Sequence, residues 1–121
     1  MFSRPILRCR NIIQLNLSEK QITTLQNIRW SEGLEELYLR GNGISSLEDV
    51  QFPKGLRELY LNHNQISSLK DVKFPNTLQK LDLAWNQIPS LEGIKFPKHL
   101  QRLHLIGNPI SKEELNHIKI S

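Results

Sequence analysis

One motif, Leu-x-x-Leu-x-Leu-x-x-Asn-x-Ile, returns four times at an unvarying interval of 22 residues. It reads Leu34-Leu37-Leu39-Asn42-Ile44, Leu56-Leu59-Leu61-Asn64-Ile66, Leu78-Leu81-Leu83-Asn86-Ile88 and Leu100-Leu103-Leu105-Asn108-Ile110. A weaker copy, Ile12-Leu15-Leu17-Ile22, comes first, with Lys20 where Asn belongs. A fixed period of this length marks stacked repeats, because no single unit can bury its apolar face without a neighbour. Stacking of this kind yields a long surface instead of a pocket, which directs the search for function to surfaces.

Each repeat has two chemically different halves. In the first, Leu37 and Leu39 alternate with polar neighbours, the period of a half-buried strand. In the second, apolar residues recur every three positions: Ile44, Leu47, Val50, then Ile66, Leu69, Val72, then Ile88, Leu91, Ile94. That spacing predicts a 3₁₀-like turn or a short, irregular helix, and Ser45-Ser46-Leu47-Glu48 has the form of a capping box at its start. Phe52-Pro53, Phe74-Pro75 and Phe96-Pro97 close the segment, with Trp30-Ser31 in the first copy. Proline cannot continue a helix and straightens the chain before it, so the aromatic ring, Trp30 included, is expected in the core. The Asn of each motif comes where a strand must turn inwards. Its amide is expected to satisfy backbone groups that the turn leaves unpaired, one rung per coil.

These copies, from about Ile12 to Leu115, resemble the leucine-rich repeat family. The repeat length and short convex half are most similar to the cytoplasmic class typified by the regulator of type-1 protein phosphatase, although Phe-Pro stands where that class has a Leu pair. The resemblance implies an α/β fold. Its form would be a right-handed solenoid with about five parallel strands on the concave face, 3₁₀ or irregular convex segments and a C-terminal helical cap. Residues 1–11 form an N-terminal half-repeat or cap in this division, with Ile6 in register. Five repeats follow over 12–110 (12–33, 34–55, 56–77, 78–99 and a partial 100–110), and residues 111–121 form the helical cap. Gly107-Asn108-Pro109-Ile110 resembles the family's closing turn. Ser111-Lys112-Glu113-Glu114 is a second capping box, predicting a helix from about Lys112 to Ile118 that lays Leu115 and Ile118 over the last coil. The first strand, near Ile13 to Leu17, is expected to keep an open edge.

The 121 residues suffice for one domain, and no stretch approaches the roughly 20 apolar residues of a membrane span. Met1-Phe2-Ser3-Arg4-Pro5 leads into no long apolar run, so a secretory leader is not expected. The lone Cys9 leaves no internal disulfide and no multi-cysteine zinc site. It favours a reducing compartment, with the cytoplasm expected and the nucleus as the alternative. Of the net charge of +4, three charges come from Arg4, Arg8 and Arg10, ahead of the repeats. In the strand segments Glu19, Glu35, Glu36, Glu58 and Asp82 balance Lys20, Arg40, Arg57, Lys80 and Arg102. A groove tracking a nucleic-acid backbone would gather its cations on one face, so nucleic acid is not the expected partner.

Comparing the repeats with one another separates scaffold from variable surface. The convex halves are near copies, whereas the outward strand positions differ. The third column reads Gln14, Glu36, Glu58, Lys80, Arg102; the fifth reads Asn16, Tyr38, Tyr60, Asp82, His104. The seventh reads Ser18, Arg40, Asn62, Ala84, Ile106; the eighth reads Glu19, Gly41, His63, Trp85, Gly107. Tyr38, Tyr60, His63 and Trp85 should therefore cluster in the middle of the face, flanked by Arg40 and Asn62, and Tyr, Trp and Arg are enriched in interface hot spots. With Glu36, Glu58, Asp82 and His104 around them, these residues form the candidate partner-binding set. The acidic-to-basic gradient of the third column could orient a dipolar segment of a partner. Asp82 and His104 share a column and could touch as an acid–base pair, but no nucleophile accompanies them. No catalytic residue, metal ligand or cofactor is expected.

The expected function is that of a monomeric, non-catalytic protein-binding module using the concave face. The alternatives are a self-assembling spacer that associates through its solenoid edges and a scaffold subunit of a ribonucleoprotein or regulatory complex.

Overall fold

The computed structural model describes residues 12–118. The expectations for residues 1–11, including Ile6, Cys9 and the three early arginines, and for residues 119–121 lie outside the described residues.

The strands form where apolar and polar residues alternate. They are β1 (Gln14–Asn16), β2 (Glu36–Tyr38), β3 (Glu58–Tyr60), β4 (Lys80–Asp82) and β5 (Arg102–His104). They pair in parallel in chain order, and the register never slips: Leu15, Leu37, Leu59, Leu81 and Leu103 stand side by side. The chain thus winds a β-solenoid of about four turns. In β2, β3 and β4 the middle leucine is fully buried and its two neighbours are half-buried, so one face of the sheet is core and the other is open. Leu39, Leu61 and Leu83, then Ile44, Ile66 and Ile88, extend the core away from the sheet.

The convex halves are chains of turns, and no helix forms in them among the described residues. The spacing of three is that of an i-to-i+3 bond: the amides of Val50, Val72 and Ile94 donate to the carbonyls of Leu47, Leu69 and Leu91 at 3.1–3.3 Å. Asp49, Asp71 and Gly93 hold φ of +61°, +59° and +75°, which stops a helix from propagating through them. The anticipated capping box at Ser45 is accordingly replaced. Ser46 Oγ accepts the amide of Glu48 two residues on, at 3.0 Å, and Ser68 and Ser90 repeat the arrangement.

At the back of the coils Phe52, Phe74 and Phe96 stack with centroids 6.2 and 6.4 Å apart. This exceeds the roughly 4.8 Å between paired strands, as it does where coils fan outward and the sheet lines the inner curve. Trp30 packs against the core but does not join the phenylalanine stack, and its buried Nε1 has no partner among the described residues.

The asparagines make the expected ladder. Asn64 Oδ1 accepts the amide of Ile44 in the preceding coil at 3.1 Å, and its Nδ2 donates to Leu39 and Leu61 carbonyls at 3.0 Å. Asn42, Asn86 and Asn108 bridge coils in the same way.

Helix α1 (Lys112–Asn116) closes the stack and is shorter than expected, with His117 at its end. Ser111 Oγ accepts the amide of Glu114 at 3.2 Å, half of the predicted box. The Glu114 carboxylate does not return to the helix start. It reaches into the previous coil, accepting from Ser90 Oγ at 3.0 Å and from the Leu91 amide at 2.8 Å. Ile118 packs on the core as expected, whereas Leu115 does not cover the last coil and remains 39% exposed.

Candidate functional site

The open sheet face carries the varying columns, and its centre is a pair of tyrosines. Tyr38 and Tyr60 occupy matching positions on β2 and β3, and their rings stack with centroids 4.5 Å apart and planes 3° from parallel. Each is fixed by the acid two residues earlier, on the same side of the same strand. The Tyr38 hydroxyl donates to Glu36 Oε1 at 2.7 Å, and the Tyr60 hydroxyl donates to Glu58. Glu36 and Glu58 are direct neighbours in the register, where two carboxylates repel. The phenols relieve that repulsion by solvating both. Lys80 completes the arrangement with its ammonium 5.1 Å from the Tyr60 centroid, within the range of a cation–π contact. Both phenols ionise above the ordinary range. For Tyr38 the leading cause is the hydrogen bond to Glu36; for Tyr60 it is burial, followed by the bond to Glu58.

A second pair lies at the rim. His63 and Trp85 stack with centroids 6.0 Å apart and an interplanar angle of 18°. Every residue of this column has positive φ: Glu19 +56°, Gly41 +69°, His63 +59°, Trp85 +59°, Gly107 +81°. A residue with a side chain gives up about 1–2 kcal/mol to hold that conformation. The glycines at either side make room for their neighbours. A Cβ on Gly107 would lie 2.4 Å from the Trp85 ring, and one on Gly41 would lie 2.9 Å from Glu19 Cγ. The indole therefore lies across Gly107, and Glu19 reaches over Gly41 to pair with Arg40 at 2.9 Å.

The expected single aromatic cluster is thus two stacked pairs, Tyr38–Tyr60 on the strands and His63–Trp85 at the rim. Arg40 is turned towards Glu19, and Asn62 sits half-buried one coil beyond Arg40 on the seventh column. Asp82 and His104 are register partners, but no ion pair among the described residues joins them. The Asp82 carboxylate instead accepts the amide of Ala84 at 3.0 Å, as a short side chain at a strand end readily does. Among the described residues no group of three or more His, Cys, Asp or Glu side chains is placed to hold a metal.

Two residues of the face stood outside the candidate set. Lys80 entered the sequence reading only through the charge gradient of the third column, and its place over Tyr60 is visible only in the structure. Ile106, 69% exposed, had a signal: it stands in a column otherwise filled by Ser18, Arg40, Asn62 and Ala84. Ala84 departs from the expected open position in the other sense and is buried.

A family model described as leucine rich repeat matches residues 32–88 and again 54–110, together more than half of the chain. No curated protein matches it. No helix among the described residues is long and apolar enough to cross a membrane.

Proposed function

The chain belongs to the leucine-rich repeat family, and from that premise we propose that it is a non-catalytic module gripping a partner protein by its concave sheet face. Leucine-rich repeats generally serve as protein-interaction modules. The observation that carries the choice of face is the Tyr38–Tyr60 stack, two aromatic rings held by their neighbours' carboxylates on an open surface. A contact whose rotamers are fixed before binding loses little entropy when a partner arrives, which is how rigid aromatic anchors favour affinity.

Support comes also from the rim, where His63 and Trp85 occupy a conformation that glycine adopts without strain. Glu36, Glu58, Asn62, Asp82 and His104 surround these anchors, and Arg40 extends them towards the first coil. The 22-residue period fits the short class resembling the phosphatase regulator, and the single Cys9 fits a reducing compartment, for which the cytoplasm is our reading. In this reading the protein acts as a scaffold within a larger complex.

A tagged pull-down from native lysate, comparing wild type with Tyr38→Ala/Tyr60→Ala by mass spectrometry, tests the proposal. A protein recovered by wild type and lost with the double variant supports the concave face. Equal recovery by both contradicts it, and recovery of the chain alone favours self-assembly.

A further inference from the structure

The two halves of the sheet face differ in how far their charges are satisfied. On β2 and β3, Glu36 and Glu58 accept tyrosine hydroxyls, and beside them Arg40 pairs with Glu19. On β4 and β5, Lys80 and Arg102 stand side by side in the register, and neither has an ion-pair partner among the described residues, although Lys80 lies over the Tyr60 ring and beside Glu58 in the register. Asp82, which lies between them and the rim, directs its carboxylate to its own backbone. At the far side of the same two coils Trp85 is 52% exposed and Ile106 69% exposed. They are adjacent, since the Trp85 amide donates to the Ile106 carbonyl at 2.8 Å.

We infer that this second half of the face takes an acidic, amphipathic helix of the partner, lying across β4 and β5 with carboxylates on Lys80 and Arg102 and an apolar side chain on Trp85 and Ile106. The inference rests on the reading of the sheet face as the partner surface and deepens it. Spacing selects a helix over a strand. Cations on neighbouring strands lie about 4.8 Å apart at the backbone. Carboxylates at i and i+4 of a helix lie about 5–6 Å apart, whereas i and i+2 of an extended chain lie about 7 Å apart. Width agrees too. From the third column, Ile106 in the seventh lies at most about 13 Å along the chain and Trp85 in the eighth at most about 17 Å, and a helix with side chains is about 10–12 Å across. With the long Lys80 and Arg102 side chains reaching towards it, one helix can therefore touch the cations and the apolar pair together. A nucleic-acid strand fits less well, because phosphates spaced along its whole length would also meet Glu36 and Glu58 of the third column, whereas a short helix confined to β4 and β5 places its carboxylates only at Lys80 and Arg102.

The probe is a displayed library of helix-biased 16-residue peptides, selected on the full chain, with the enriched peptide then titrated by calorimetry. The expected winners carry Asp or Glu three or four residues apart and Leu or Phe on the adjoining face. Their binding should weaken roughly tenfold or more in Lys80→Gln/Arg102→Gln and in Trp85→Ala, and it should fall with added salt. Both variants should melt near wild type, since each loses only a surface contact, Lys80 on Tyr60 or Trp85 on His63, and none of the core. Enrichment of basic or uncharged peptides, or binding indifferent to Lys80→Gln/Arg102→Gln, overturns the inference. So does tighter binding of a single-stranded oligonucleotide through the same two cations, or a dimer in solution that these substitutions dissolve. A partner lost with Tyr38→Ala/Tyr60→Ala but retained with Lys80→Gln/Arg102→Gln would overturn this inference alone and leave the concave-face reading standing.

Discussion

Asn64 is 7% exposed, yet it carries a polar amide into an apolar stack. Burying such a group is tolerable only when its donors and acceptors are met, and Ile44, Leu39 and Leu61 meet them. Asn64→Ala strands those backbone groups, each worth about 1–3 kcal/mol when left unpaired. We expect a loss of about 3 kcal/mol or more by urea denaturation, and a loss under 1 kcal/mol would show that water replaces the amide. The tyrosines give a second test at this scale. Their phenols are neutral donors to carboxylates, so the folded state holds protons that the unfolded chain releases at the ordinary value of 10.0. The stabilising effect is whole below pH 10 and declines as pH rises from there through the raised folded values. Absorbance titration should find both phenols ionising late, and Glu36→Gln should bring Tyr38 back towards 10.0. An unchanged titration in that variant would remove Glu36 as the cause.

At the scale of elements, much was legible because a 22-residue period fixes register before any contact is known. Leu15 to Leu103 fall into one row for that reason, and the Asn rungs follow. The convex segments were legible as a spacing of three but not as turns, since only the left-handed conformations of Asp49 and Asp71 decide the matter. Pairings across columns were hidden as well. Glu19 reaches Arg40 because Gly41 leaves the way clear, and Glu114 abandons its own helix for Ser90 and Leu91. That last contact makes α1 a latch on the fourth coil. Glu114→Ala should raise hydrogen exchange in 112–118 and at the Leu91 amide while leaving β2 and β3 protected. Unaltered exchange at Leu91 would mean that the latch does not hold in solution.

Across the whole molecule the same stacking that closes the core brings variable side chains into rows. The rows have unequal character: tyrosines braced by carboxylates on β2 and β3, and on β4 and β5 cations without an ion pair among the described residues beside exposed apolar side chains. Our central claim is that a partner protein binds this concave face. The most direct measurement is the affinity of the captured partner for wild type, Tyr38→Ala/Tyr60→Ala and the convex-side control Ser45→Arg/Ser67→Arg, each with its melting curve. We predict a loss of roughly tenfold or more for the tyrosine variant, little change for the control, and melting near that of wild type in both. Full affinity in the tyrosine variant with a loss in the convex control would contradict the account.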